Sequence, residues 1–463
     1  MSDARRAPVR LSAVAATALA LSTSLVGVAA AHSGSLRGGT RDPIAVPTWL
    51  FLLTGGSVVG VSFLLASFVT DRRLVEAVHD WHRPLLAPGR LLRVGARALA
   101  VVALALTLYV GATGPTQPLR NLAILLVWVG WWGGYVASTY LLGNTWPALN
   151  PVRAVAEAVP SLDRPYPARL GAWPSVAGLL ALVWVEVVTP LADDPRLLAD
   201  VVSVYVLVTV AGAVVFGAEQ WFETVDPLSR ALRYYGRVAP LGVTDGRIEL
   251  RNPGGALPET RLEAEGEVAF VVAILFVTTY DGFVGTAAWA TVARVVVGLG
   301  VPPHAVYLGA YLGGFALFYL AYRAAARVGR SAAETYRSTA TVARRFAPSL
   351  LPIAAGYHLA HNLGSFLVLA PTLATVAASP FAPPFAPPRL VGLPNWFGGL
   401  ELAFVLLGHL LAVWVAHATA YDVFPSRLQA IRSQYGVTAV MVCYTMISLW
   451  VVAAPYTPPP FVS

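Results

Sequence analysis

The chain contains no lysine and a single cysteine, and only 12% of its 463 residues are charged. Soluble domains carry roughly a quarter charged residues. Charge this sparse, with long apolar runs between the charges, excludes an ordinary soluble globule and reads as a polytopic membrane protein. The lone Cys443 lies in an apolar run. It excludes an intramolecular disulfide framework and any multi-thiolate metal site, and the expectation for it is a small buried hydrophobe. No Gly-rich phosphate loop or other nucleotide motif is present. The net charge of +8 does not point to nucleic acid either, because all 32 basic residues are arginines set between apolar segments. That is a topological pattern, and the partner it implies is the lipid bilayer.

What the chain does have is apolar sequence, 57% of the residues. Apolar segments lie near 48–70, 91–112, 120–142, 172–190, 197–217, 267–288, 304–325, 348–372, 397–420 and 436–455. A spanning helix needs about 20 such residues. The fold class is therefore all-α: a polytopic membrane helix bundle of about ten transmembrane helices, with an N-terminal signal segment and interfacial amphipathic helices. Oligomeric state is not legible.

Residues 1–31 read as a signal peptide. Arg5, Arg6 and Arg10 precede an apolar stretch from Leu11 to Val28, and small residues follow in "AAAHSGS"; an uncleaved signal anchor is the alternative. Cleavage after Ala31 leaves an integral membrane domain, 32–463, that begins at His32. The free amine and ring nitrogen of an N-terminal histidine can chelate copper, which makes His32 a separate possible copper site, with Asp42 or His304 as a further ligand. The plainer reading is that cleavage simply falls before a histidine.

Connections 71–93, 143–171, 218–266, 323–347 and 421–435 carry the arginines, and those between them are nearly free of basic residues. The positive-inside rule places the first set in the cytoplasm and both mature termini outside. Within 218–266, "VTDGRIELRNPGG" alternates and turns like a small hairpin. "SPFAPPFAPPRLVGLPNW" is too rich in proline to be helical; it reads as a connector, with a lid over an outward cavity as the other possibility.

A short pattern recurs after inward-going spans: "WPALNPVRAV" (Trp146 to Val155), "WFETVDPLSRAL" (Trp221 to Leu232) and "YDVFPSRLQAIRSQYG" (Tyr421 to Gly436). Asn or Asp before proline starts a helix, and Trp with Arg suits the membrane interface. These segments are expected to be surface-lying anchoring helices.

"PIAAGYHLAHNLGSF" (Pro352 to Phe366) places His358, His361 and Asn362 about halfway across a span, with both imidazoles on one helix face. Other spans carry matching groups: Tyr280 and Asp281 in "FVTTYDGFVG", Glu186 in "VWVEVV" and His409 in "LLGHLL". An ionised carboxylate alone in hydrocarbon is very costly, so Asp281 and Glu186 need partners, and the histidines at similar depth can supply them. The expectation is that His358, His361, His409 and Asp281 meet in one site able to bind Zn²⁺, Fe²⁺ or Cu²⁺. With an open position such a site makes a hydroxide nucleophile; without metal the same groups relay protons or merely bond helices together. His417 and Glu401 read as interfacial, and His79 and His82 as solvated.

Taken together, "AHSGSLRGGTRDPIAVPTWLF", "LLGNTWPALNPVRAV", "WFETVDPLSRAL", "TTYDGFVGT" and "GYHLAHNLGSF" resemble the fenitrothion hydrolase-like family of integral membrane proteins, over about residues 31 to 435. Ser33 stands where that pattern has Gly after the histidine. The resemblance implies hydrolysis of an organophosphorus ester, with an unknown small molecule as native substrate. In that role His358, His361 and His409 bind metal, Asp281 is ligand or general base, and Asn362 and Tyr280 orient the substrate. A transporter or metal-handling permease using the same groups, and a non-catalytic membrane scaffold, are the alternatives.

Overall fold

The computed structural model describes residues 48–85, 90–244, 247–390, 392–394 and 396–462; the signal segment, His32 and Asp42 lie outside them. The long helices are α1 (Thr48–Ser67), α2 (Arg90–Thr113), α3 (Leu122–Leu142), α4 (Trp173–Val188), α5 (Pro195–Phe216), α6 (Pro227–Tyr235), α7 (Glu265–Val284), α8 (Pro303–Ala332), α9 (Leu351–Ala378), α10 (Phe397–Val423) and α11 (Tyr435–Ala453). Among the described residues, eight helices are long and apolar enough to cross a membrane. A ninth span results if α1 and the helix Arg72–His79, bent by 118°, count as one. The chain is thus an all-α polytopic bundle, with fewer full-length spans than the ten apolar runs suggested. Two runs fall short: the first, where α1 qualifies only together with the bent helix after it, and α4, whose 16 residues extend about 24 Å at 1.5 Å per residue, less than the ~30 Å hydrocarbon core.

Apolar surface is distributed as a bilayer requires. Residues such as Leu99, Leu207 and Leu317 project outward from α2, α5 and α8, while α7 is buried on nearly every side from Gly266 to Val277 and forms the central post. Cys443 is exposed on the outer side of α11, not buried as expected: an apolar run does not distinguish a core face from a lipid face.

The arginine-bearing connections touch one another and so lie on one face. The Arg72 guanidinium donates to the Phe424 carbonyl at 2.7 Å, Arg344 to the Glu263 carbonyl at 2.5 Å, and Asn252 to the Val78 carbonyl. On the same face β1 (His82–Pro84), β2 (Leu241–Thr244) and β3 (Arg247–Arg251) form an antiparallel sheet in the order β1-β3-β2, with His82 opposite Arg251 and Leu241 opposite Leu250. The acidic start of α7 is anchored here too. Glu265 accepts from Arg323 at 2.7 Å, and Glu267 pairs with the buried Arg230 at 3.3 Å, so both carboxylates complement the helix N-terminus. The proline-rich 379–396 segment folds back onto the bundle: Thr372 donates to the Pro388 carbonyl and Arg120 to those of Pro383 and Pro384.

The recurring Asn/Asp-Pro pattern has a physical basis. Asn150 caps the helix Pro151–Glu157 by accepting from the N–H groups of Val152 and Arg153. Asp226 caps α6 by accepting from Ser229 N–H at 2.8 Å, and it also accepts the Tyr205 hydroxyl at 2.6 Å. The two copies meet where the Asn150 amide donates to Ser229 Oγ at 3.4 Å. Asp226→Ala removes the cap, typically worth about 0.5–2 kcal/mol, and leaves a buried tyrosine hydroxyl without its acceptor, about 1–3 kcal/mol more. We expect a clear fall in thermal midpoint of the detergent-solubilised protein for Asp226→Ala, and a smaller one for Asn150→Ala.

Candidate functional site

The third span is irregular where it passes the bundle centre. Leu125–Tyr135, "LLVWVGWWGGY", is π-helical, and the Val136 N–H bonds the Trp131 carbonyl five residues back. Such segments are rare and recur at functional sites. Gly133 and Gly134 sit against Phe366 of α9, where a Cβ on Gly134 would come within 2.6 Å of the ring; glycine there lets the widened backbone approach α9. The result is that Trp128, Trp131 and Trp132 all line one cavity of about 220 Å³.

The cavity wall is largely apolar, and its carboxylates and imidazoles come from three helices: Glu186 on α4, Asp281 on α7, and His358 and His361 on α9. Tyr357 and Asn362 also line it. Asp281 lies 16 residues into α7 and Glu186 13 residues into α4, about 24 and 20 Å along axes that start on the same face. The two carboxylates therefore reach similar depth, and both line the cavity. His361 Nε2 stands 4.0 Å from Asp281 Oδ2. The Tyr357 ring stacks on that of His361 with centroids 5.7 Å apart. Its hydroxyl packs against Gly282, where a Cβ would come within 2.5 Å of it.

His358 is only 1% exposed, and among the described residues neither ring nitrogen has a hydrogen-bond partner. Its ring meets Trp132 edge-on at 4.7 Å and Tyr140 at 5.6 Å. A buried imidazole without a partner forfeits about 1–3 kcal/mol, a cost consistent with a group kept for a ligand rather than for packing.

Not all the expected residues converge. His409 is fully buried on α10 but does not line the cavity, and its Nδ1 faces the Val405 carbonyl at 2.8 Å. Tyr280 turns away from its neighbour Asp281, donates to the Tyr307 carbonyl at 3.1 Å, and packs on Tyr311. The Asn362 amide donates to the His358 carbonyl at 3.1 Å. His417 is buried in protein near the end of α10, with Nε2 2.9 Å from the Val69 carbonyl and Gln434 on Nδ1, so it pins the bend after α1. His304 is exposed at the start of α8.

As placed, the cavity donors do not form a three-point metal site. Among the described residues, the one group of three His, Asp or Glu ligand atoms lying within 4.8 Å of one another is His79, Asp80 and Glu259, outside the bundle. A metal held by His358, His361, Asp281 and Glu186 therefore requires side-chain closure. What the residues present as they stand is a carboxylate–imidazole pair and a second carboxylate against an aromatic wall. Glu186, Tyr357 and the three tryptophans escaped the site assignment made from sequence; the Trp/Gly density of "WVGWWGGY" was the available signal.

Fold and cavity define a polytopic helical membrane protein with an ionisable site between its spans. Comparison with protein-family models, curated proteins and solved structures found no match to this chain.

Proposed function

We propose that the chain is a multi-pass hydrolase of the cell membrane that cleaves an apolar ester held in the aromatic cavity, with the arginine-rich face in the cytoplasm. The observation that carries this reading is the His361–Asp281 pair opening on a largely apolar, aromatic wall. Asp281 orients the imidazole through Nε2, which leaves Nδ1 as the general base. Water attacks the ester centre and its proton passes to His361; the leaving oxygen then takes that proton back. A gap of 4.0 Å is loose, and such pairs tighten when substrate excludes water. Trp128, Trp131 and Trp132 supply flat apolar surface for an aromatic or alkyl substrate body. The resemblance to fenitrothion hydrolases supports the same class.

The test is turnover of a p-nitrophenyl carboxylate and a dialkyl p-nitrophenyl phosphate by the purified protein in nanodiscs. Hydrolysis that survives chelation supports the metal-free dyad. Hydrolysis lost on chelation, with one metal ion lost in both His358→Ala and His361→Ala, supports the same site closed around an ion. No turnover of either ester by a well-folded sample overturns the proposal. Glu186 lining the same cavity as Asp281 favours a second reading, a proton-coupled transporter, because carboxylates at membrane depth mark proton paths. Substrate-driven proton uptake into vesicles, abolished by Glu186→Gln, would establish that reading instead.

A further inference from the structure

A second cavity, of about 320 Å³, lies on the arginine-rich face, away from the aromatic site. Four arginines line it: Arg261 on the connection entering α7, and Arg337, Arg344 and Arg345 on the segment and helix Thr339–Phe346 that follow α8. Among the described residues, the only carboxylate in its wall is Asp422, near the end of α10, which Arg345 engages. Arg344 is partly committed, since its Nε donates to the Ala340 carbonyl and its Nη1 to the Glu263 carbonyl. Among the described residues, the side chains of Arg261 and Arg337 have no hydrogen-bonding or ionic partner. Thr341 adds a hydroxyl that meets Ser338 Oγ at 2.9 Å.

Four guanidinium groups facing one carboxylate leave three positive charges unmatched in a concave space. Like charges are not gathered so without a gain, because each repels the others. Guanidinium groups match phosphate oxygens in bidentate geometry, which ammonium groups do not. The location narrows the ligand further. The residues lie where α7 begins, α10 ends and α9 is about to begin, at the level where a phospholipid presents its phosphate.

We propose that this cavity binds a phosphate group: the headgroup of an anionic phospholipid or a free phosphate ion. Bound there, it bridges the α7 entry, the α8–α9 connection and the end of α10, so it also stiffens the base of the helices carrying Asp281 and His361.

The test uses the full chain purified in detergent and titrated by native mass spectrometry with phosphatidylglycerol and with phosphatidylcholine, and by thermal shift with inorganic phosphate. Arg337→Gln/Arg344→Gln is expected to weaken binding by about tenfold or more, as loss of charge-assisted contacts does. Thr341→Asp, which removes no arginine, should weaken it as well by adding a negative charge, and guards against a folding artefact. Selective retention of phosphatidylglycerol, lost in both variants, identifies a lipid. A phosphate-dependent rise in midpoint, lost in both variants without lipid selectivity, identifies the free ion. Binding unchanged in both variants, or no preference for either anion, overturns the proposal.

Discussion

His361→Ala lowers ester turnover about a thousandfold in protein that remains monodisperse, because a positioned general base contributes roughly 10²–10⁴. Asp281→Asn keeps the shape of the pair but loses the orienting charge, and its expected loss is also large. The controls are as informative. Tyr280→Phe removes a hydroxyl whose bond runs to the Tyr307 carbonyl in the α7–α8 packing; it costs about 1 kcal/mol of stability and leaves turnover within about threefold. His409→Ala, outside the cavity wall, leaves turnover similarly intact. Equal activity in His361→Ala and the parent would remove the dyad from consideration. A loss in His409→Ala as large as in His361→Ala would show that α10 joins the site during turnover.

Those controls also mark where sequence reasoning stopped. Hydropathy determines depth, because hydrocarbon excludes polar groups, and depth was legible: His358, His361, Asp281 and Glu186 were placed at matching levels and do line one cavity. Rotation about the helix axis is a separate coordinate. The apolar side chains of α10 go all the way round, and most of the helix is buried, so no polar stripe indicates which way His409 turns. Tyr280 and Asp281 are adjacent, but successive side chains on a helix point about 100° apart. One therefore faces the cavity and the other the α8 packing. The π-helical stretch of α3 was not legible either, because the hydrophobic pattern of 125–135 fits an ordinary helix and carries no local mark of the wider turn. The caps of Pro151–Glu157 and of α6 were legible, because an Asn or Asp before proline is a local signal that needs no partner; that α6 packs inward, with Leu228, Leu232 and Tyr235 lining the cavity rather than anchoring at the surface, was not.

The largest stability effect is expected at the crossing of α9 and α10. Gly356 and Gly408 face each other there. A Cβ on Gly356 would lie 3.1 Å from the Gly408 Cα, and one on Gly408 would lie 2.5 Å from the Pro352 carbonyl oxygen and 3.2 Å from the Gly356 Cα. The obstacles are backbone atoms, which cannot rotate aside as a side chain does. Small residues at such contacts let membrane helices approach closely where no hydrophobic force drives them together. Gly356→Leu must therefore push the two helices apart, at a cost of about 3 kcal/mol or more, and it displaces His358 and His361, two and five residues further along the same helix. We expect little folded protein from Gly356→Leu, and from Gly356→Ala a lowered thermal midpoint with turnover reduced in step. A Cβ added at Gly309 on α8 would meet nothing within 4 Å, so Gly309→Ala should match or exceed the parent's midpoint, helped by up to ~1 kcal/mol of helix propensity. A Gly356→Ala variant as stable as Gly309→Ala would mean that the helices do not cross at this glycine pair, and the placement of both histidines would fall with it.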